Sequence, residues 1–335
     1  MSELLPHAAL DAYMRQHLGA ALGAIEPIGG GQSNPTFFIT VGTQRLVLRK
    51  QPHGPILKGA HAVDREYRVL QALSKTDVPV PTPRLYCVDP EVLGTPFYVM
   101  ERIEGRVFHD AALPELSRDE RGALYRSMAE TLAKLHALDP NGIGLSDFGR
   151  AGNYFERQLA RWSKQWKESS VQSIPALDHL IEALTSALPS DDGIVSIVHG
   201  DYRMGNLMVH PTEPRVIGIL DWELSTLGHP LADLGFAAMA WHTTPNDYGG
   251  IAGLDFESLG IPTKDAFLKV YISAAKSKLS LTPFHIAFAL FRFAVIFVGI
   301  AERARLGNAA GRNAAEIAPL AQRFAEIGLL IMRNG

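Results

Sequence analysis

Apolar residues in the first hundred positions alternate with polar ones or gather in short runs set off by turn formers. Residues 35–41 (PTFFITV), 46–50 (LVLRK) and 97–103 (FYVMERI) read as strands, and the Gly-Thr-Gln turn at 42–44 joins the first two. Helical spacing appears twice here. Leu10, Tyr13, Met14 and Leu18 share one side of an N-terminal helix, and Val63, Tyr67, Leu70 and Leu73 share a face over 62–73. Pro79, Pro81 and Pro83 then break the chain. From about residue 118 the rhythm becomes helical. Residues 118–138 form a strong amphipathic helix closed by Asp139-Pro140, 154–187 hold one or two more, and the chain from Pro262 onward is mostly helical. A β-like island (194–201, 207–210 and 216–223) interrupts this stretch, and a turn at 211–214 returns the chain on itself. There is no internal repeat and no low-complexity linker. The expected class is α+β, with a small β-rich lobe and a larger, mostly helical lobe divided near 101–105.

Composition narrows the picture. The chain has 335 residues, 47% apolar and 20% charged, enough for a large core in two domains or two lobes. Its formal net charge of −3 gives no electrostatic reason to expect a nucleic-acid or membrane-surface partner. Cys87 is the only cysteine, which excludes an internal disulfide and a multi-cysteine zinc site and fits a reducing compartment, most simply the cytoplasm. The N-terminus lacks the basic-then-apolar pattern of a targeting segment. The most apolar stretch, 284–301, carries His285 and Arg292, so it reads as a buried helix rather than a membrane span.

The β island concentrates the candidate chemistry. His199, Asp201 and Asn206 follow the apolar run Ile-Val-Ser-Ile-Val, and Asp221 ends the run Val-Ile-Gly-Ile-Leu. Two carboxylates and an amide at strand ends suit phosphoryl transfer: one carboxylate takes or orients a hydroxyl proton, while hard oxygen atoms hold Mg²⁺ against phosphates. Bland explanations compete for the other features. The triple glycine at 29–31 is also an ordinary turn, Trp162 and Trp166 read as helix packing, and His210 beside Pro211 reads as a turn residue.

The motifs GGGQSNPTF (29–37), LVLRK (46–50), AHAVDREYRVLQAL (60–73), HGDYRMGNLMV (199–209), ILDWELSTLGHPLADLGF (219–236) and GIAERARLGNAAG (299–311) resemble the aminoglycoside phosphotransferase-like kinases. Within that family they are most similar to the branch whose kinase-like domain is fused, in some proteins, to an acyl-CoA dehydrogenase. The chain is too short to include such a dehydrogenase domain. The resemblance implies a bilobal protein-kinase-like fold, with an N-lobe over 1–103 (N-terminal helix, nucleotide-covering sheet, helix C) and a C-lobe over 104–335. It implies ATP and Mg²⁺ as cofactors and a small-molecule hydroxyl as acceptor. Carried over residue by residue, Asp201 matches the catalytic-loop aspartate, and Asn206 and Asp221 match the Mg²⁺ ligands. His199 matches the histidine that braces the loop, and Asp233 matches an aspartate that supports it. Gly30, Gly31, Ser33 and Asn34 fall in the phosphate-covering loop. Glu66 matches the helix-C glutamate, paired with a basic residue that falls on Arg49, with Lys50 adjacent. Met100, Glu101 and Ile103 fall in the adenine-binding hinge.

Three departures from the protein-kinase pattern bear on function. Arg49 stands where lysine is usual, Glu223 where the metal loop has glycine, and no arginine precedes Asp201. Together they imply an enzyme that is constitutively assembled and acts on a small molecule. Residues 250–335 carry ten Lys/Arg against six Asp/Glu, which disfavours a polycationic acceptor. Arg292, inside an apolar stretch, calls for a partner, either a protein carboxylate or an anionic substrate. The leading expectation is an ATP-dependent kinase of a hydroxyacyl compound or its CoA thioester, with an acyl-CoA dehydrogenase as a candidate partner. The alternatives are an aminoglycoside or macrolide kinase, a nucleotide-binding regulatory module with little catalysis, and a hydrolase whose transition metal is held by His199, Asp201, His210 and Asp221.

Overall fold

The computed structural model describes residues 5–29, 34–53, 62–150, 152–170, 173–305 and 314–334. The chain divides into two compact units: Met1–Gly105 with Ile217–Glu223, and Arg106–Val216 with Leu224–Gly335.

In the first unit the described elements are α1 (His7–Leu18), β1 (Leu22–Pro27), β2 (Thr36–Val41), β3 (Gln44–Lys50), α2 (Val63–Leu73), β4 (Pro83–Cys87), α3 (Pro90–Leu93) and β5 (Phe97–Glu101). The strands make an antiparallel sheet in the order β1-β2-β3-β5-β4. Strand parity decides what each face carries. Leu46, Leu48, Phe97 and Val99 turn to a core shared with Leu10 and Met14 of α1 and with Val92 and Leu93 of α3. Lys50, next on that parity, is buried with its Nζ 3.0 Å from Nε2 of His53. Arg49 points to the opposite face, toward α2. The apolar face of α2 differs from the expected one. Val63, Glu66, Val69, Leu70 and Leu73 are buried, while Tyr67 is half-buried and stacks on Tyr86 at 5.3 Å. A glutamate lies on the buried stripe where a purely apolar count looks for a tyrosine.

The second unit is mostly helical: α4 (Arg118–His136), α5 (Tyr154–Lys167), α6 (Pro175–Ser186), α7 (Leu231–Ala238), α8 (Phe256–Leu259), α9 (Lys264–Ala275), α10 (Pro283–Arg305) and α11 (Ala314–Asn334). A capping box starts α4: the Ser117 hydroxyl accepts from Glu120 N–H and the Glu120 carboxylate accepts from Ser117 N–H. The β island yields β6 (Ser196–Val198), β7 (Leu207–Val209) and β8 (Val216–Ile219), of which residues 217–219 belong to the first unit. It also yields β9 (Thr226–Gly228), a strand too short to show a period, which pairs antiparallel with β6. Helix α10 is long and apolar enough to cross a membrane, but 78% of its most apolar window is buried inside the protein. Its phenylalanines fill the core against α7 and α11. Among the described residues Arg292 on α10 forms no ion pair with a carboxylate. Its NH2 donates to the carbonyl of Gly200 at 3.2 Å, and its guanidinium lies 5.6 Å from the centroid of Trp162.

His285, in the first turn of α10, is buried and accepts the Thr282 N–H at Nδ1, 3.1 Å away. Burial, with His229 nearby, pulls its pKa down to about 4. The folded state therefore binds the neutral ring and the unfolded state binds a proton more readily. The resulting stability is complete above about pH 6.5 and is lost as pH falls toward 4, by up to about 3 kcal/mol. Urea unfolding between pH 4 and 7 should show this slope. In His285→Gln, which retains an acceptor and does not titrate, this component of the slope should vanish.

Candidate active site

The loop after β6 is built so that its backbone is held and its carboxylate is presented. Asp233, fully buried in the first turn of α7, accepts the N–H of His199 (2.7 Å) on Oδ2 and the N–H of Gly200 (2.8 Å) on Oδ1. His136 lies 3.2 Å from the same Oδ2 and contacts Tyr271 Oη at 2.7 Å. Burial works against ionisation of Asp233, but the bond and charge of His136, His199 and the Gly200 N–H outweigh it and hold the pKa below its ordinary value. His199 in turn accepts the N–H of Asp201 at Nδ1, 3.2 Å away. Gly200 sits at φ +85°, and a Cβ there would lie 2.8 Å from the Leu224 carbonyl oxygen, so glycine is required. Asn206 Nδ2 donates to the Asp201 carbonyl (2.9 Å) and to its Oδ2 (2.6 Å). The sequence pairing of Asp201 with Asn206 is thus a direct contact, and His199 sits under the loop as a brace.

Two neighbours of this loop carried no obvious signal in the sequence. Arg203 Nε lies 3.4 Å from Asp201 Oδ1, and the guanidinium sits 5.8 Å from the ring of Tyr248. Tyr248 is exposed and adopts φ +65°, a strained conformation for an aromatic residue. The strain is held by its turn: Asp247 accepts the N–H and the hydroxyl of Thr244, and Gly250 packs so tightly on Thr243 that no Cβ fits. Thr-Pro-Asn-Asp-Tyr-Gly-Gly reads only as an irregular loop in sequence. Arg203, Met204 and Tyr248 border a narrow cavity of about 60 Å³, whose other walls include Met128, Phe236 and Phe293. No Asp or Glu is among the described residues that line it.

In the first unit a second charged cluster centres on Arg49. Its Nε lies 3.1 Å from Glu66 Oε2, its NH2 donates to Asp221 Oδ1 at 2.8 Å, and Glu223 is 3.9 Å away. Glu66 is 1% exposed and also accepts from Asn34 Nδ2 (2.8 Å) and Tyr98 Oη (2.9 Å). Burial lifts the Glu66 pKa, and the Arg49 pKa is raised because the surrounding carboxylates overcome the cost of burial. Parity and burial assign Arg49, rather than Lys50, to this cluster. Asp221 sits at φ +64°, a conformation that aspartate tolerates better than most residues. Its loop is fastened by Ile219 N–H to the Pro79 carbonyl and by Trp222 Nε1 to the Ile219 carbonyl.

Of the remaining predicted residues, Gly30, Gly31 and Ser33 lie outside the described residues. Asn34 is buried, with its amide turned to Glu66. Met100 and Glu101 end β5. Glu101 N–H goes to the Thr82 carbonyl and Arg102 N–H to the Arg45 carbonyl, while Ile103 N–H has no protein acceptor among the described residues. The donor set fits Mg²⁺. With Asn206 Nδ2 spent on Asp201, the amide offers its oxygen, and Asp221 offers a carboxylate, both hard ligands. The transition-metal alternative is not assembled. Among the described residues no three His, Cys, Asp or Glu side chains form a group that could hold a metal ion, and His210 Nδ1 accepts the Thr212 and Glu213 N–H groups in its own turn.

Comparison with known proteins gives the same direction. Residues 24–259 match the model of the phosphotransferase enzyme family. Acyl-CoA dehydrogenase family member 11 of Gallus gallus is 42% identical over 333 residues, covering 97% of this chain and 42% of that protein. The chain thus spans less than half the length of the curated relatives it matches. The crystal structure of a putative aminoglycoside phosphotransferase from Ralstonia eutropha is 44% identical, with TM-score 0.89 over 98% of this chain and 99% of that one. A thermostable mutant of aminoglycoside phosphotransferase APH(4)-Ia, in ternary complex with AMP-PNP and hygromycin B, shares the fold at 14% identity and TM-score 0.65, over 98% of each chain.

Arg49→Met removes the cation and strands the Glu66 carboxylate in a dry site. Removing one partner of a buried pair costs about 3–5 kcal/mol, and urea denaturation should show a loss of that size. Glu223→Gln, 3.9 Å from Arg49, should cost far less.

Proposed function

The chain belongs to the phosphotransferase enzyme family, and on that premise we propose that it moves the γ-phosphoryl group of ATP to the hydroxyl of a hydroxyacyl compound, as the free acid or its CoA thioester. The observation that carries the reading is the loop on which Asp201 is fixed by Asn206, His199 and Asp233 beside a cavity with apolar walls and no carboxylate. A hydroxylated alkyl chain matches such walls, whereas a polycationic aminoglycoside calls for acidic ones. The name of the longer relatives, acyl-CoA dehydrogenase family member, supports an acyl acceptor and a dehydrogenase that works in concert with this chain.

In this mechanism Asp201 accepts a hydrogen bond from the acceptor hydroxyl, orients its oxygen for in-line attack and takes the proton as the new O–P bond forms and the bond to ADP breaks. Asn206 keeps the Asp201 carboxylate in one rotamer. The Asn206 amide oxygen and the Asp221 carboxylate are the hard donors that would ligate Mg²⁺, which would supply charge neutralisation to the phosphate oxygens. Arg49, braced by Glu66, presents a planar guanidinium to the nucleotide phosphates, a bidentate geometry that lysine lacks. Backbone groups of Met100, Glu101 and Ile103 receive adenine.

Asp201→Asn should lower turnover by about 10²–10⁴-fold, with Mg·ATP affinity, measured by calorimetry, nearly unchanged. Near-normal turnover in this variant removes Asp201 from the role. Acceptor-stimulated ADP release should be measured with hydroxy acids, their CoA thioesters and aminoglycosides. Stimulation by aminoglycosides alone replaces this reading with the antibiotic-kinase one.

A further inference from the structure

A second and larger cavity of about 310 Å³ lies in the helical unit, between α4, α8 and α9. Its walls include Phe256, Ile261, Phe267 and Val270, with Arg118, Arg126 and Glu257 as its charged residues. One residue lines both this cavity and the narrow one beside the catalytic loop: Tyr125. The partition around it is aromatic. Tyr125 lies 5.6 Å from the ring of Trp241, which borders the narrow cavity, and Trp241 lies 5.2 Å from Phe267, which borders the larger one. Tyr125 is 2% exposed, and its hydroxyl donates to the Ala111 carbonyl at 2.7 Å. The ring is therefore pinned at its far end as well as by its neighbours.

We propose that Tyr125 is the back wall of the acceptor pocket and fixes the length of alkyl chain that the pocket accepts. The inference rests on the acyl-acceptor reading above. The narrow cavity has room for only a short apolar segment beyond the Arg203–Met204 edge. The space that would take further methylenes lies on the other side of the Tyr125 ring. The ring is not a catalytic group. Its effect is steric: chain atoms that reach it find no further apolar surface to cover. The larger cavity does not otherwise connect to the catalytic loop through any residue other than Tyr125 that lines both spaces.

The test uses straight-chain 1-alkanols of increasing length as binding probes, read by titration calorimetry, and the matching hydroxy acids as acceptors, read by ADP release. In the unaltered protein, alkanol affinity should rise about fourfold per methylene while each is buried and then level off at a short length. Tyr125→Ala, and Tyr125→Leu should the alanine variant fold poorly, should move that breakpoint to longer chains and shift the kcat/KM optimum of the acids in the same direction. Tyr125→Phe, which retains the ring, should keep the original breakpoint. A breakpoint that stays put in both Tyr125→Ala and Tyr125→Leu overturns the proposal. If the alkanol breakpoint moves as expected but no hydroxy acid stimulates ADP release, the wall stands and the acyl-acceptor reading falls instead.

Discussion

The helical unit depends on a buried carboxylate that spends both of its oxygens on backbone. Without Asp233, the N–H groups of His199 and Gly200 would be orphaned where no water reaches them, a cost of about 1–3 kcal/mol each. With Asp233 in place, the loop's polar backbone is accounted for from several sides. Asp201 N–H goes to His199, the Asp201 carbonyl takes Asn206, and the Gly200 carbonyl takes Arg292. These bonds fix the course of the loop backbone, and the Asp201 carboxylate is held by Asn206 Nδ2. Gly200 makes this possible, since the backbone passes too close to Leu224 for any side chain.

The sheet-rich unit solves a related problem with opposite charge. Arg49 is a cation that Glu66, Asp221 and Glu223 have in common. Glu66 is the most deeply buried of these carboxylates, and Asn34 and Tyr98 add two neutral donors to it. Such a cluster adds little net stability compared with an apolar core. What it provides is a fixed guanidinium plane and a fixed position for Asp221, whose positive φ would not be kept by a free loop.

Much of this was legible in the sequence, and the reasons for the exceptions are physical. Strand ends that carry Asp and Asn after pure apolar runs are unusual, so Asp201, Asn206 and Asp221 stand out. Lys50 and Arg49 could not be separated by motif alone. Separating them required knowing which face of β3 packs on α1, a tertiary fact that period-2 alternation converts into an assignment. The α2 stripe was misjudged at Tyr67 because an apolar count cannot see a buried glutamate that has its own donors. Strand β9 has only three residues and owes its conformation to β6. Arg292 was expected to meet an acid or a substrate. A guanidinium can instead be accommodated by a carbonyl and an aromatic face, and neither leaves a mark in charge patterning.

That last point also bears on how charge should be used to choose an acceptor. The excess of basic residues after position 250 pointed away from polycationic substrates, but a net count does not say where the charges are. Arg292 is consumed by the loop carbonyl, and Arg323 pairs with Asp247 at 3.3 Å, behind the Tyr248 turn. Neither defines the surface that an acceptor meets. The discriminating fact is local. The walls beside Asp201 include methionine, phenylalanine, tyrosine and tryptophan, with Arg203 and His109 among them and no Asp or Glu among the described lining residues. If that cavity receives the acceptor, an ammonium-rich sugar would lose water against walls without Asp or Glu, with only Asp201 beside them, which is costly for most of the charges it carries. An alkyl chain loses little and covers apolar surface. On the proposed acyl-acceptor reading, acceptor preference follows from desolvation at a few side chains, and the proposed aromatic wall behind them sets how much of the chain that preference reaches.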